Sequence, residues 1–163
     1  AKGYGVDVVA EWLLAEGIRD FLVEVGGEIR VAGRSPRGDA WRVAIERPDA
    51  SGSVAEALAL TELAVATSGD YRNFVEIDGR RYSHSIDPRS GFPVVHDLVS
   101  VTVVHESAML ADAWATALIV LGTEQAARVA EEQALAVYFI RRVEGGFDGF
   151  PTAALEPYLS GRN

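Results

Sequence analysis

The residues best placed to do chemistry fall into a few short groups. Asp112 and Thr116 lie four apart in a stretch that reads as helix, so they share one face. Both offer oxygen. A carboxylate and a hydroxyl, with waters or phosphate oxygens completing the shell, suit Mg²⁺. The plain alternative is an Asp that answers the dipole in the first turns of a helix, with an unrelated Thr nearby. His84 ends a predicted hairpin and enters the loop Ile86-Asp87-Pro88-Arg89-Ser90-Gly91. An imidazole titrating at about 6.5 suits a general base at neutral pH. It is equally a hairpin histidine facing solvent or bound to a carbonyl. Thr67-Ser68-Gly69 offers small side chains and backbone N–H groups that can cradle phosphate oxygens. Gly3 and Gly5, beside Lys2 at a helix start, can do the same. Asp87 before Pro88 reads better as a turn initiator. Arg72, Arg80 and Arg81 read as a solvated strand face, and Trp12, Trp41 and Trp114 as core.

These groups must be positioned by the elements around them. Val6, Val9, Ala10, Leu13 and Leu14 recur at helical spacing, so residues 1 to 17 read as a helix stopped by Gly17. Strands are predicted at Phe21 to Val25 and at about Glu28 to Val31, with Gly26-Gly27 as a turn or a close approach to a ligand. Loops follow at Arg34 to Asp39 and Pro48 to Ser53, with a strand at Trp41 to Glu46 between them. Val54 to Ala66 has helix-favouring composition, but the neighbouring turn residues favour a pair of strands, which is the reading adopted. Asp78-Gly79 between Phe74 to Ile77 and Arg80 to Ser85 signals a type I′ hairpin. Leu98 to His105 is a β-branched strand. Ser107 then caps a helix from Ala108 to Leu121 that stops at Gly122. Thr123 caps another helix to about Gln133. Ala136 to Arg141 is a strand, Glu144 to Gly146 a turn, Phe147 the start of a short strand, and the tail from Leu155 one loose turn. Irregular alternation with several hairpins predicts an α+β fold, a mostly antiparallel sheet with packed helices.

The 163 residues are 48% hydrophobic and 24% charged, enough for one domain with a core. Twenty-four acidic against 15 basic residues give a charge of −9, which argues against nucleic acid or an anionic membrane as partner. A local cation still permits an anionic ligand. No cysteine is present, which excludes thiol nucleophiles, thiolate metal sites and disulfides. No apolar run approaches the ~20 residues that span a bilayer. The chain begins Ala1-Lys2-Gly3, without methionine.

In order and at matching spacing, several stretches resemble the ApbE family, the FAD:protein FMN transferases. They are Ala1-Lys2-Gly3-Tyr4 with Asp7, Val25-Gly26-Gly27-Glu28, Trp41 to Ile45, and Ala66-Thr67-Ser68-Gly69-Asp70-Tyr71-Arg72. Tyr82 to Pro88, Gly91-Phe92-Pro93, Val99 to Val103 and Ala111-Asp112-Ala113-Trp114-Ala115-Thr116 complete the set. The resemblance covers nearly the whole chain. It implies a Mg²⁺-dependent enzyme that splits the pyrophosphate of FAD, moves FMN onto a Ser or Thr hydroxyl of an acceptor flavoprotein and releases AMP. It implies Asp112 and Thr116 as metal ligands, Lys2 and Ile86 as FAD contacts, and His84 as the catalytic histidine. Some members carry a carboxylate one residue before the threonine. Here that position is Ala115, so the metal shell is either thinner or completed by a backbone carbonyl. Family proteins also carry a substantial N-terminal part, which implies that residues 1–163 are the C-terminal portion of a flavin transferase domain and hold part of the FAD pocket, with that N-terminal part as partner. Family habit favours the bacterial cell envelope or periplasm, often through a lipoprotein anchor in that part, with the cytoplasm as the other option. Two readings stand beside transfer: hydrolysis of FAD to FMN and AMP, and a non-catalytic flavin-binding fragment.

Overall fold

The computed structural model describes residues 1–49, 52–69, 74–77, 80–83 and 85–160, with backbone alone for 74–77 and 80–83. Helix α1 (Lys2–Ala15) leads into strands β1 (Phe21–Val25), β2 (Glu28–Ala32), β3 (Trp41–Glu46), β4 (Val54–Leu60) and β5 (Ala64–Gly69). Strands β6 (Phe74–Ile77), β7 (Arg80–Ser83) and β8 (Leu98–His105) precede helices α2 (Ala108–Leu121) and α3 (Thr123–Glu132). Strands β9 (Ala136–Val143) and β10 (Gly146–Pro151) and a 3₁₀ helix, Ala153–Tyr158, close the chain. Six strands form one sheet in the order β1-β2-β5-β8-β9-β10, and every neighbouring pair is antiparallel. The α+β expectation holds.

Strand β8 is central and buried on both faces, which is why its sequence is an almost unbroken apolar and β-branched run. Val101 and Val103 face α2 and α3, packing with Ala111, Ala115, Leu118 and Ala126. Val104 faces the opposite layer, where Leu58, Leu60, Val43 and Ile45 of the β3–β4 hairpin meet Leu155 and Leu159. The chain end is clasped there: Leu159 bridges Leu58, and the Ser160 N–H donates to the Ala57 carbonyl at 2.7 Å.

The ambiguous stretch from Val54 resolves as two strands. Leu58 and Leu60 are buried in the layer beneath the sheet, and Glu62, at φ 54°, turns the chain between them and β5. Ala64, Val65 and Ala66 are all buried, so tertiary burial overrides helix propensity here. Strands β6 and β7 pair antiparallel, with Ile77 opposite Arg80; the predicted turn residues Asp78 and Gly79 lie outside the described residues. Other boundaries move slightly. Helix α1 ends at Ala15, two residues before Gly17, and β9 continues to Val143. The 3₁₀ helix is longer than the single loose turn expected at Leu155. Thr123 does not cap α3; its hydroxyl donates to Asp97 at 2.8 Å. Trp41 and Trp114 are partly buried, but Trp12 is an exposed residue of α1 rather than core, and so is Val9.

Gly3 has a packing reason. A Cβ there would lie 2.3 Å from the Ala108 carbonyl oxygen, so only glycine lets α1 approach α2 this closely. Gly3 and Gly5 lie at the start of α1 as expected, with the Gly3 N–H donating to Asp112 and the Gly5 N–H to the Ala1 carbonyl. Four residues further on, Asp7 turns its carboxylate to the start of α2. It accepts from Ser107 Oγ (2.7 Å), the Ala108 N–H (3.0 Å), the Met109 N–H (2.9 Å) and Arg30 Nη1 (2.7 Å). Burial alone would raise the Asp7 pKa. The donors from Met109, Ser107, Ala108 and Arg30 outweigh it and hold the value below 3.8.

A depressed folded pKa contributes stability that is complete above the unfolded value and is lost as the pH falls through the folded one. Asp7→Asn is therefore expected to cost about 2–4 kcal/mol at pH 7, from a weakened cap and a partly buried arginine left without its carboxylate. The difference from wild type should shrink as the pH falls below 3.8. Urea denaturation at pH 7 and pH 3 measures both.

Candidate functional site

A cleft of about 770 Å³ opens where four pieces of chain converge. Lys2 at the start of α1 forms one side, and the β1–β2 turn, Gly26 and Gly27, forms another. Thr67, Ser68 and Gly69 at the end of β5 form the floor, and Asp112 and Thr116 of α2 the facing wall. Ser85 also lines it. A second, more open groove, about 580 Å³ and bordered by Arg30, Glu62 and Glu106, holds none of the candidate residues.

Each side chain is brought in by a specific local cause. Val25 pairs with Glu28, so Gly26-Gly27 is a two-residue hairpin loop. Both glycines have positive φ, 60° and 95°, as a type I′ turn requires. The turn carbonyl of Gly26 accepts from Lys2 Nζ at 3.0 Å. The same ammonium lies 2.8 Å from Glu28 Oε1. Lys2 is thus fixed across 24 residues of sequence with its charge at the cleft edge.

Asp112 and Thr116 are one helical turn apart on α2, as their spacing predicts. Asp112 Oδ2 accepts from the Gly3 N–H at 3.1 Å, and the Ala1 backbone nitrogen lies 3.3 Å away. Two donors therefore orient one carboxylate oxygen. Thr116 Oγ1 and Ser68 Oγ share a hydrogen bond of 3.2 Å, which ties α2 to the end of β5. Thr67, Ser68 and Gly69 do not form the free N–H loop that their composition suggests. They are strand residues paired with Thr102, Val101 and Ser100 of β8, and the Thr67 and Thr102 hydroxyls lie 2.8 Å apart. The β2 ladder ends at Val65, so beyond it β5 meets the cleft.

Other candidates stand differently. Ala115 is fully buried against the sheet and does not line the cleft, so its methyl contributes packing alone. Ile86 is half exposed, bridges Pro93, and is not among the lining residues. Asp87 is the turn initiator it resembled: its carbonyl accepts from the Gly91 N–H, and its carboxylate holds Arg89 through two oxygens. Its pKa is lowered first by the Arg89 side chain and then by the Arg89 N–H. His84, with Asp70, Tyr71 and Arg72, lies outside the described residues. Composition and spacing left Glu28 and the fastening of Lys2 unread, because both depend on a contact between chain segments far apart in sequence.

The cleft is acidic. Among its described lining residues one lysine stands against Glu24, Glu28, Glu46 and Asp112. Such a site repels a bare diphosphate and attracts a hard cation. Asp112 and Thr116 supply oxygen donors of the kind Mg²⁺ takes, and two protein ligands leave positions for water and phosphate.

The sequence profile of the ApbE family matches residues 1–139. The FAD:protein FMN transferase of Vibrio cholerae is 47% identical over 161 residues, spanning 98% of this chain and 48% of that protein. The FAD:protein FMN transferase of Escherichia coli K12 is 42% identical over 159 residues, spanning 97% and 45%. Among solved structures, the apo flavinyl transferase ApbE of Pseudomonas stutzeri superposes with a TM-score of 0.87 at 43% identity, over 99% of this chain and 50% of that one. The ApbE protein of Thermotoga maritima gives 0.84 at 29% identity, over 96% and 50%. The chain spans about half the length of the relatives it matches.

One consequence of the cleft geometry is testable without any ligand. A Cβ on Gly26 would meet Lys2 Cδ at 3.0 Å, at a backbone conformation that side chains rarely adopt. Gly26→Ala should cost about 1–3 kcal/mol and displace the lysine. Denaturant unfolding and a crystal structure of the variant check the two effects.

Proposed function

Because the chain belongs to the ApbE family, we propose that it carries the diphosphate-binding part of a site that transfers FMN from FAD to a Ser or Thr hydroxyl of an acceptor flavoprotein and releases AMP. The observation behind this reading is the convergence of Lys2, Thr67, Ser68, Asp112 and Thr116 on one acidic cleft. Asp112 and Thr116 would hold Mg²⁺, which when bound supplies charge neutralisation at the diphosphate. Ala115 adds no side-chain ligand.

The remaining roles belong to the chain. Lys2 carries a positive charge at the cleft edge, held by Gly26 and Glu28, and orients an anionic ligand there. Ser68 and Thr116 share one hydrogen bond, which leaves one hydroxyl hydrogen of the pair to donate to a phosphate oxygen. Ile86, on the loop after Ser85, offers apolar surface to the flavin. The acceptor hydroxyl oxygen bonds to the phosphorus of the FMN half as the bridging P–O bond to AMP breaks. His84 takes the hydroxyl proton, and AMP leaves with the bridging oxygen.

Incubation of the intact protein with FAD, MgCl₂ and an acceptor domain tests the whole reading. Covalent flavin on the acceptor, lost with EDTA, is the expected result. Free FMN with unmodified acceptor would make the protein a hydrolase, and neither product would make it a flavin-binding protein without catalysis. Asp112→Ala should reduce Mg²⁺-dependent transfer by at least about 100-fold, with a melting temperature within a few degrees of wild type. Unchanged transfer, followed by in-gel flavin fluorescence, would remove Asp112 from the metal site. His84→Ala should slow transfer by about 100-fold or more while leaving the FAD dissociation constant nearly unchanged. Equal losses in rate and in calorimetric affinity would make His84 a binding residue instead.

A further inference from the structure

Glu28 opens β2 directly after the Gly26-Gly27 turn, and its side chain is only 3% exposed. The two carboxylate oxygens are treated differently. Oε1 is 2.8 Å from Lys2 Nζ. Oε2 is buried and, among the described residues, has no hydrogen-bond partner, although Glu28 lines the cleft. A buried acceptor without a donor is costly, and a folded chain rarely tolerates one unless something else completes it. Lys2 already balances the charge of this carboxylate, so the group suited to Oε2 is a neutral donor rather than a second cation. Phosphate oxygens are excluded, because they carry negative charge and offer nothing to donate.

Resting on the flavin-transferase reading, we infer that Glu28 is a binding residue whose Oε2 accepts a hydrogen bond from a sugar-type hydroxyl beside the diphosphate. In FAD such hydroxyls flank the diphosphate on both sides, on the ribityl chain and on the adenosine ribose. Glu28 then does two things with one carboxylate: Oε1 fixes the ammonium that meets the anionic centre, and Oε2 sets which way the chain of hydroxyls runs from it. A ligand of equal charge without hydroxyls at that position, such as inorganic pyrophosphate, gains nothing from it.

The test is calorimetric titration of the intact protein with three ligands: FAD, FAD lacking the ribityl 4′-hydroxyl, and FAD lacking the adenosine 3′-hydroxyl, the hydroxyls nearest the diphosphate on each side. Glu28→Gln removes the charge and turns an amide toward either Lys2 or the ligand. It should weaken FAD binding about 10- to 100-fold, the loss typical of a hydrogen bond to a charged group. One of the two deoxy ligands should bind wild type correspondingly weakly and show little further loss with Glu28→Gln. That ligand identifies which hydroxyl is held. A carboxylate that served only to fasten Lys2 would give the same mutational loss with all three ligands, and that result overturns the inference. So does equal FAD affinity of variant and wild type. Failure of wild type to bind FAD at all would overturn the functional reading itself, and the inference with it. Glu28→Asp, which keeps the charge but withdraws it by one methylene, serves if Glu28→Gln does not fold, and is read against the same three ligands.

Discussion

A single buried carboxylate, that of Asp7, determines how the helices meet the sheet. It gathers donors from the first turn of α2, from the Ser107 cap and from Arg30 on β2. Three elements far apart in sequence are joined through two oxygen atoms. The start of α2 has orphan N–H groups that any helix must satisfy; here a neighbouring helix satisfies them, so α2 cannot shift along α1 without exposing them. Asp112 and Thr116 sit one and two turns further along α2, and Lys2 sits near the start of α1. Their relative placement follows from that clasp.

The sheet supplies the other constraint. Because β8 is buried on both faces, its neighbours β5 and β9 are held in register along most of its length. Strand β2, by contrast, pairs with β5 over two residues only. The hairpin β1–β2 therefore diverges from β5 toward its turn, and that divergence makes room for the cleft. The polar residues at the end of β5, Thr67 and Ser68, occur where the strand stops being covered, and they are fastened by Thr102 and Thr116.

Local patterns were the most readable part of the chain. The Gly-Gly turn, the Ser107 cap, the i, i+4 pair on α2 and the β-branched run of β8 each depend on neighbours within a few residues, and each stands as its spacing predicts. Val54 to Ala66 was ambiguous because alanine and leucine suit a helix as well as a buried strand, and only the layer beneath the sheet decides between them. The packing role of Gly3 was unreadable, since a glycine required by close helix packing has the same signature as one that offers its N–H to a ligand. Asp7 and Glu28 carry no local sign of their roles at all. An acidic residue among apolar ones is a hint of burial, but its partners, Met109 and Lys2, are 102 and 26 positions distant. The candidate site was legible as a set of oxygen donors, and illegible as a set of restraints upon them.

The missing methyl at Gly3 has a wider meaning. Separation of the two helices at that point is set by the Gly3 backbone lying against the Ala108 carbonyl and the Asp112 Cβ, none of which can flex away. Lys2 precedes the contact on α1 and Asp112 belongs to it on α2, so the spacing of the two backbones that carry them is set there. Even the smallest side chain there would push α1 and α2 apart and widen the opening between Lys2 and Asp112, while every polar side chain lining it kept its identity.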